Sequence, residues 1–358
     1  MMGEGISEIL VRGPNWLGDL VMATPGLRSL RAGFPEARIT LQIRPGLEDL
    51  LRGSPYVDQI ESLDSYHEGP VALVSEARRW RKRHRFDLGI CLPDSFSSVF
   101  FMKLAGVRKV VGYTHPGRGL LLEEAVTPLA RQRQKKWVSR EEHALGLMRI
   151  LDCPDLGTSL SLPVSHVERS DLAQVLEANG VFPGHSPLVV LAPGASYGSS
   201  KRWPTAHFAA VGDALAAAGA RVILVGSSDE AELTRAVEGG MRAAAVDLAG
   251  ALGLGALKAL IEKTQVLIAN DAGCRHIAAA FGVPSLIFFG STSVEKTPLN
   301  LEAVRVFERT LECRPCYKRK CPRPGHPCLS EILPAPVSEA ALQVLGDVSQ
   351  SITQPGRP

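Results

Sequence analysis

Four stretches of this chain set polar and charged side chains just beyond the end of an apolar run. Arg12-Gly13-Pro14-Asn15-Trp16-Leu17-Gly18-Asp19 follows Ile9–Val11. Its glycines permit a tight turn, and Asp19 is a carboxylate able to take a proton or to cap a helix. Pro193-Gly194-Ala195-Ser196-Tyr197-Gly198-Ser199-Ser200-Lys201-Arg202-Trp203-Pro204 combines small residues, hydroxyls and two cations ahead of a proline-started helix. Backbone N–H groups, hydroxyls and an ammonium group can all meet phosphate oxygens. Cations at a helix start oppose its dipole unless an anion is close by.

Ser227-Ser228-Asp229-Glu230 offers carboxylates where a ribose diol would be read, and Asp229 and Glu230 are both candidates. Asn270-Asp271-Ala272-Gly273-Cys274-Arg275-His276 would aim the N–H groups of Ala272 and Gly273 out of the next helix. A capping Asp271 and a buried His276 are the plainer roles there. Three such loops in one half of the chain point to a nucleoside diphosphate. Neither GxGxxG nor GxxxxGK occurs, which excludes a dinucleotide fingerprint and a P-loop.

Elements that could hold these loops alternate along the chain. Strands are predicted at Glu8–Arg12, Ala37–Ile43, Asp87–Leu92 and Lys109–Tyr113, then at Leu188–Ala192, Arg221–Val225, Val266–Ala269 and Ser285–Phe289. Helices are predicted between them, among them Leu20–Ala32, Glu141–Leu151, Pro204–Ala218, Cys274–Phe281 and a final Ser338–Val348. This is α/β architecture with parallel sheets. The Pro-, Gly- and Ser-bearing stretch Asp152–Ser165 reads as a linker between two domains, as 358 residues also suggest.

A net charge of +3 conceals an asymmetry. Residues 1–150 hold 22 Lys and Arg against 17 Asp and Glu, whereas residues 151–358 hold 18 against 20. The surplus gathers in Arg78–Arg85 and Arg131–Arg140, patches that attract phosphates or serve as a solvated helix face. No signal-peptide pattern and no long uncharged apolar run is seen, so a cytosolic protein is expected. Seven Cys in such a chain argue against a disulfide scaffold. Four of them, Cys313, Cys316, Cys321 and Cys328, are close enough in sequence to suggest zinc, but their spacing fits no standard finger and no metal is assigned.

Together the Asn15–Asp19, Pro193–Pro204, Asn270–His276, Phe289–Thr292 and Cys313–Pro322 motifs resemble the ADP-heptose:lipopolysaccharide heptosyltransferases of glycosyltransferase family nine, over nearly the whole chain. The resemblance is strongest to the branch that adds the second heptose. It implies a GT-B fold, two doubly wound Rossmann-like domains facing a cleft. Residues 1–160 would bind the acceptor and 161–335 the ADP-sugar donor, with 336–358 a helix returning to the first domain. It implies an inverting transfer of L-glycero-D-manno-heptose from its ADP derivative to the heptose of the lipopolysaccharide inner core.

By the same likeness Asp19 is the general base and Lys201 offsets charge on the departing diphosphate. Ser196, Tyr197, Lys201, Glu230, Leu252, Asp271, Ala272, Gly273 and His276 would hold the donor. Asn15, Trp16, Asp94, Ser95, Arg78 and Arg81 would meet the acceptor, a phosphorylated Kdo–lipid A saccharide. No DxD pair suggests a divalent ion, so a metal- and cofactor-independent enzyme is expected. It would be a monomer, peripheral at the inner face of the inner membrane, without a nucleic-acid partner. The alternatives are a family relative with another acceptor and, more distantly, a basic zinc-bearing nucleic-acid-binding protein. A dehydrogenase would need the missing glycine fingerprint.

Overall fold

The computed structural model describes residues 5–63, 69–115, 117–129, 137–182, 184 and 186–353, with side chains through Asp347. The chain divides into two units, Met1–Pro163 and Val164–Pro358.

The first unit is one parallel sheet of six strands: β1 (Glu8–Arg12), β2 (Arg38–Ile43), β3 (Gln59–Ser62), β4 (Leu88–Cys91), β5 (Lys109–Tyr113) and β6 (Glu124–Val126). Their order across the sheet is β3-β2-β1-β4-β5-β6. Arg12 stands opposite Gln42 on one side and Cys91 on the other, so β1 and β4 end level with one another. The four inner strands β2, β1, β4 and β5 are buried along nearly their whole length, which explains why they are the ones that read as apolar runs. The predicted helix Leu20–Ala32 is two helices, Leu17–Met22 and Thr24–Gly33. Pro25 lies in the first turn of the second, where its missing N–H costs nothing.

The second unit repeats the plan with β7 (Leu188–Ala192), β8 (Arg221–Leu224), β9 (Val246–Asp247), β10 (Val266–Asn270), β11 (Ser285–Phe289) and β12 (Val304–Glu308). The order β12-β11-β10-β7-β8-β9 is the same topology read from the other edge. In its core Trp203 stacks on Phe288 at 4.0 Å between ring centroids. The carboxy-terminal helix Pro334–Thr353, expected to return to the first unit, puts Val337, Ala340, Ala341 and Leu345 into this core. It packs on helix Thr205–Ala217 and on β10 and β11.

The linker is held on the first unit before the division. Arg28 donates to the carbonyls of Leu156, Gly157 and Ser159, and Ser29 Oγ donates to Pro154 O at 2.5 Å. Beyond it Ser165 and Glu168 form a reciprocal capping box that starts helix His166–Ala178.

Candidate active site

In doubly wound sheets ligands sit outside the carboxyl ends of the strands, where the strand order reverses. In the first unit that point lies between β1 and β4. The loops leaving these strands carry Asp19 and Asp94, and they line a cavity of roughly 240 Å³. Asn15, Trp16, Ser95, Arg140 and His143 share its wall. Asp19 is the third residue of helix Leu17–Met22, whose N-cap is Trp16, so it is not the cap. Arg140, from the start of helix Arg140–Ile150, bridges the two acids. Its Nε lies 3.9 Å from Asp19 Oδ1 and its Nη1 3.9 Å from Asp94 Oδ2.

Asp94 Oδ1 faces two imidazoles, His115 Nε2 at 3.4 Å and His143 Nε2 at 3.5 Å. His143 Nε2 also lies 3.2 Å from Leu92 O. A carbonyl only accepts, so this contact makes Nε2 the protonated nitrogen. Burial raises the Asp94 pKa, but the nearby His143, His115 and Arg140 outweigh it and hold the carboxyl below its usual range. Trp16, 49% exposed, offers a flat apolar face at the rim of the cavity.

His143 escaped the sequence reading, and Arg140 entered it only as the end of the basic run Arg131–Arg140, not as a residue of this site. They belong to a helix recognised only by its pattern, and nothing in that pattern says that its first turn meets the β1 and β4 loops. Arg78 and Arg81, by contrast, do not line the cavity. Leu73, Ala77 and Trp80 turn one face of helix Pro70–Arg83 into the core, which leaves both arginines exposed on the other. Of the second basic run, residues 131–136 lie outside the described residues.

The second unit has its own reversal point, between β7 and β10. Buried Asn270, last in β10, ties the two strand ends together. It donates to Pro193 O at 2.8 Å and accepts from Trp203 N at 2.9 Å. Next to it Asp271, 8% exposed, accepts from Lys201 Nζ at 2.7 Å, Thr292 Oγ1 at 2.7 Å and Arg275 Nε at 2.9 Å. Burial alone would raise its pKa; the charges of Arg275 and Lys201 with these hydrogen bonds drive it far below the carboxylate range. Asp271 is therefore a fixed anion and not a helix cap, since Ala272 caps helix Gly273–Ala280. It also supplies the counter-charge for Lys201, which ends the short 3-10 turn Ser199–Lys201 and so does not stand at the start of helix Thr205–Ala217 as expected. His276 is buried beside this group, and burial with the Arg275 charge keeps its pKa well below normal, so the ring is neutral.

The remaining donor-site expectations fall differently. Ser196 is exposed, with Ala272 and Gly273 partly so at the helix start, and Leu252 is half-buried. Tyr197 is occupied structurally: its hydroxyl donates to Tyr317 O at 2.5 Å, and Lys201 Nζ and Arg319 lie over its ring. Glu230 is likewise engaged, closing a capping box with Ser227. It also packs on Gly194, where a Cβ would come within 2.2 Å of the carboxylate. Asp229 is exposed.

The Cys-rich loop braces this site. Ser200 N donates to Arg319 O, Tyr317 N to Ser291 O, and Arg314 Nε to Gly290 O. The four cysteines are free thiols, and burial pushes that of Cys328 up to about 11. Among the described residues no three His, Cys, Asp or Glu side chains are arranged to hold a metal ion.

Two six-stranded parallel sheets of one topology, each with a polar site at its reversal point, make the GT-B fold. The sequence profile of glycosyltransferase family 9 (heptosyltransferase) matches residues 77–326, so the chain belongs to that family. It is 27% identical to the lipooligosaccharide heptosyltransferase 2 of Haemophilus influenzae over 95% of this chain and 99% of that one. The solved ADP-heptose lipopolysaccharide heptosyltransferase II of Escherichia coli is 25% identical, with a TM-score of 0.79 over 96% of this chain and 99% of that one. A family 9 glycosyltransferase from Veillonella parvula shares the fold at 21% identity, with a TM-score of 0.81 over 97% and 100% of the two chains.

Proposed function

We propose that this glycosyltransferase moves L-glycero-D-manno-heptose from ADP-heptose to the heptose of the lipopolysaccharide inner core. Near-full-length likeness to heptosyltransferases 2 supports that acceptor. The observation that carries the mechanism is Asp19 in a sugar-sized cavity at a strand-order reversal, beside an aromatic rim and a second carboxylate. In this reading Asp19 takes the proton of an acceptor hydroxyl as its oxygen forms a bond to the anomeric carbon. The bond from that carbon to the diphosphate oxygen breaks on the opposite face, which inverts the centre and releases ADP. Lys201, oriented by Asp271, offsets the negative charge growing on the leaving group. Asp94 and Ser95 hold acceptor hydroxyls, and exposed Ser196, Asp229 and the Ala272–Gly273 end hold the nucleotide.

No divalent ion is needed in this scheme, and EDTA should leave turnover unchanged. The exposed arginines of helix Pro70–Arg83 act elsewhere, attracting the anionic membrane surface that carries the acceptor. No helix among the described residues is long and apolar enough to cross a membrane.

The test is transfer itself, followed by mass spectrometry with ADP-heptose and a heptosylated Kdo–lipid A acceptor. Asp19→Asn should abolish transfer while calorimetry shows ADP binding within about twofold of wild type. Lys201→Ala should weaken ADP binding, with UDP and NAD as controls. Undiminished transfer by Asp19→Asn would remove the base from the scheme, and a wild type that binds no ADP would remove the scheme altogether.

A further inference from the structure

Two arginines of the first unit, Arg12 and Arg118, are each only 1% exposed and have no part in the mechanism above. Burying a guanidinium is costly unless its donors are met, so what meets them is informative. Arg12 Nη1 donates to Gly13 O at 2.8 Å and Gln42 O at 3.1 Å, and its Nη2 donates to Asn15 Oδ1. Arg118 Nη1 donates to Pro93 O at 2.8 Å and to Ser95 O at 3.3 Å. Each thus grips one of the two loops that line the cavity: Arg12 the loop leading to Asp19, Arg118 the loop bearing Asp94.

The two guanidiniums also converge. Both lie beside Cys91, the last residue of β4: Arg12 stands opposite it in the sheet register, and a Cβ on Gly112 would come within 3.4 Å of Cys91 Cβ as well as against Arg118. Room has been left for one of them. A Cβ on Gly112 of β5 would stand 2.7 Å from Arg118 Nη2. In each arginine a single Nη1 holds two backbone carbonyls, and Arg118 Nε and Nη2 are buried without a hydrogen-bond partner, so the side chain's reach and charge are what hold the loop.

We propose that Arg12 and Arg118 are positioning residues that fix the spacing of the Asp19 and Asp94 loops, and so set where an acceptor hydroxyl is presented to the base. The inference rests on the transferase reading. Misplacing a reacting group by about 1 Å can cost on the order of a hundredfold in rate.

The experiment compares Arg12→Lys and Arg118→Lys, which keep the charge but end one bond short of the loop carbonyls, with Gly112→Ala, which crowds the Arg118 guanidinium without removing it. Each is measured for kcat, acceptor KM, ADP affinity and melting temperature, with active protein counted by ADP stoichiometry. The expected result is a kcat per ADP-binding molecule lowered about tenfold or more, with ADP affinity within about twofold of wild type. Should the lysine variants not fold, Gly112→Ala decides the matter for Arg118. Folded variants with wild-type kcat and acceptor KM would overturn the proposal, as would a loss matched entirely by the fraction unfolded. A wild type that binds ADP and transfers no heptose would instead bring down the transferase reading, and this proposal with it.

Discussion

Replacing Asp271 with Asn would put the second unit's central charge cluster to the test. The carboxylate accepts from Lys201, Thr292 and Arg275, and side-chain exposure is 10% for Asp271, 14% for Lys201 and 1% for Arg275. Asn is nearly isosteric, so the change removes charge while leaving the volume filled. Two buried cations then face a neutral amide. Breaking a buried pair in this way costs about 3–5 kcal/mol, because the surviving charge remains desolvated. For a unit of this size about 2–4 °C of melting temperature goes with each kcal/mol, so a fall of roughly 6–20 °C is expected. Lys201→Met should cost less, about 1.5–3 kcal/mol, since Asp271 keeps Arg275 and Thr292. Differential scanning calorimetry with urea titration followed by circular dichroism measures both, and the ordering matters as much as the size. A loss below about 1 kcal/mol for Asp271→Asn, or a larger loss for Lys201→Met, would refute the view that this carboxylate is the site's organising anion.

Two further outcomes are expected. Folded His276 refuses a proton until well below the ordinary histidine range, whereas the unfolded chain takes one near 6.5. Stability should therefore fall as pH drops below about 6.5, by up to about 1.4 kcal/mol per unit. Asp271 adds nothing in the upper part of that window, because it is ionised in both states. His276→Gln should reduce the slope in urea titrations at pH 7.5, 6.5 and 5.5, leaving the part due to His326, which burial also shifts down, and an unchanged slope would refute the assignment. Reversing Arg78 and Arg81 to Glu should weaken co-sedimentation with phosphatidylglycerol vesicles by about thirtyfold or more, at roughly 1 kcal/mol for each cation lost. ADP affinity should not move; retained vesicle binding would show that the helix face is merely solvated.

The eight strands legible in the sequence are the ones with neighbours on both sides. The four that escaped, β3, β6, β9 and β12, are the four sheet edges. Their physical character explains this. Gln59–Ser62 and Val304–Glu308 are partly exposed and charged, Glu124–Val126 has three residues and Val246–Asp247 two. Short charged edges resist pairing with other chains and, for the same reason, lack an apolar run to find.

The candidate sites show a similar division. Asp19, Asp94 and Asp271 were visible because they follow buried strands. Arg140 and His143 come from a helix more than forty positions further along than Asp94, so only the folded chain brings them in. Tyr197 and Glu230 stood in ligand-like loops, yet their polar atoms are engaged by Tyr317 and Ser227. A residue type in a suggestive loop does not reveal whether the protein itself has already claimed its hydrogen bonds.

The position of the cavity along the chain has a consequence for biosynthesis. Its whole lining lies between Pro14 and Ala144, ahead of the division at Pro163. A nascent chain can therefore complete this pocket while the ribosome is still translating the second unit. Lys201 must wait longer, because Asp271 is 70 residues downstream and Ser291, which bonds Ser200, lies 91 beyond that serine. The half that holds the proposed base is thus finished first. The half that holds the cationic cluster spends part of its synthesis with Lys201 made and its counter-ion not yet in existence.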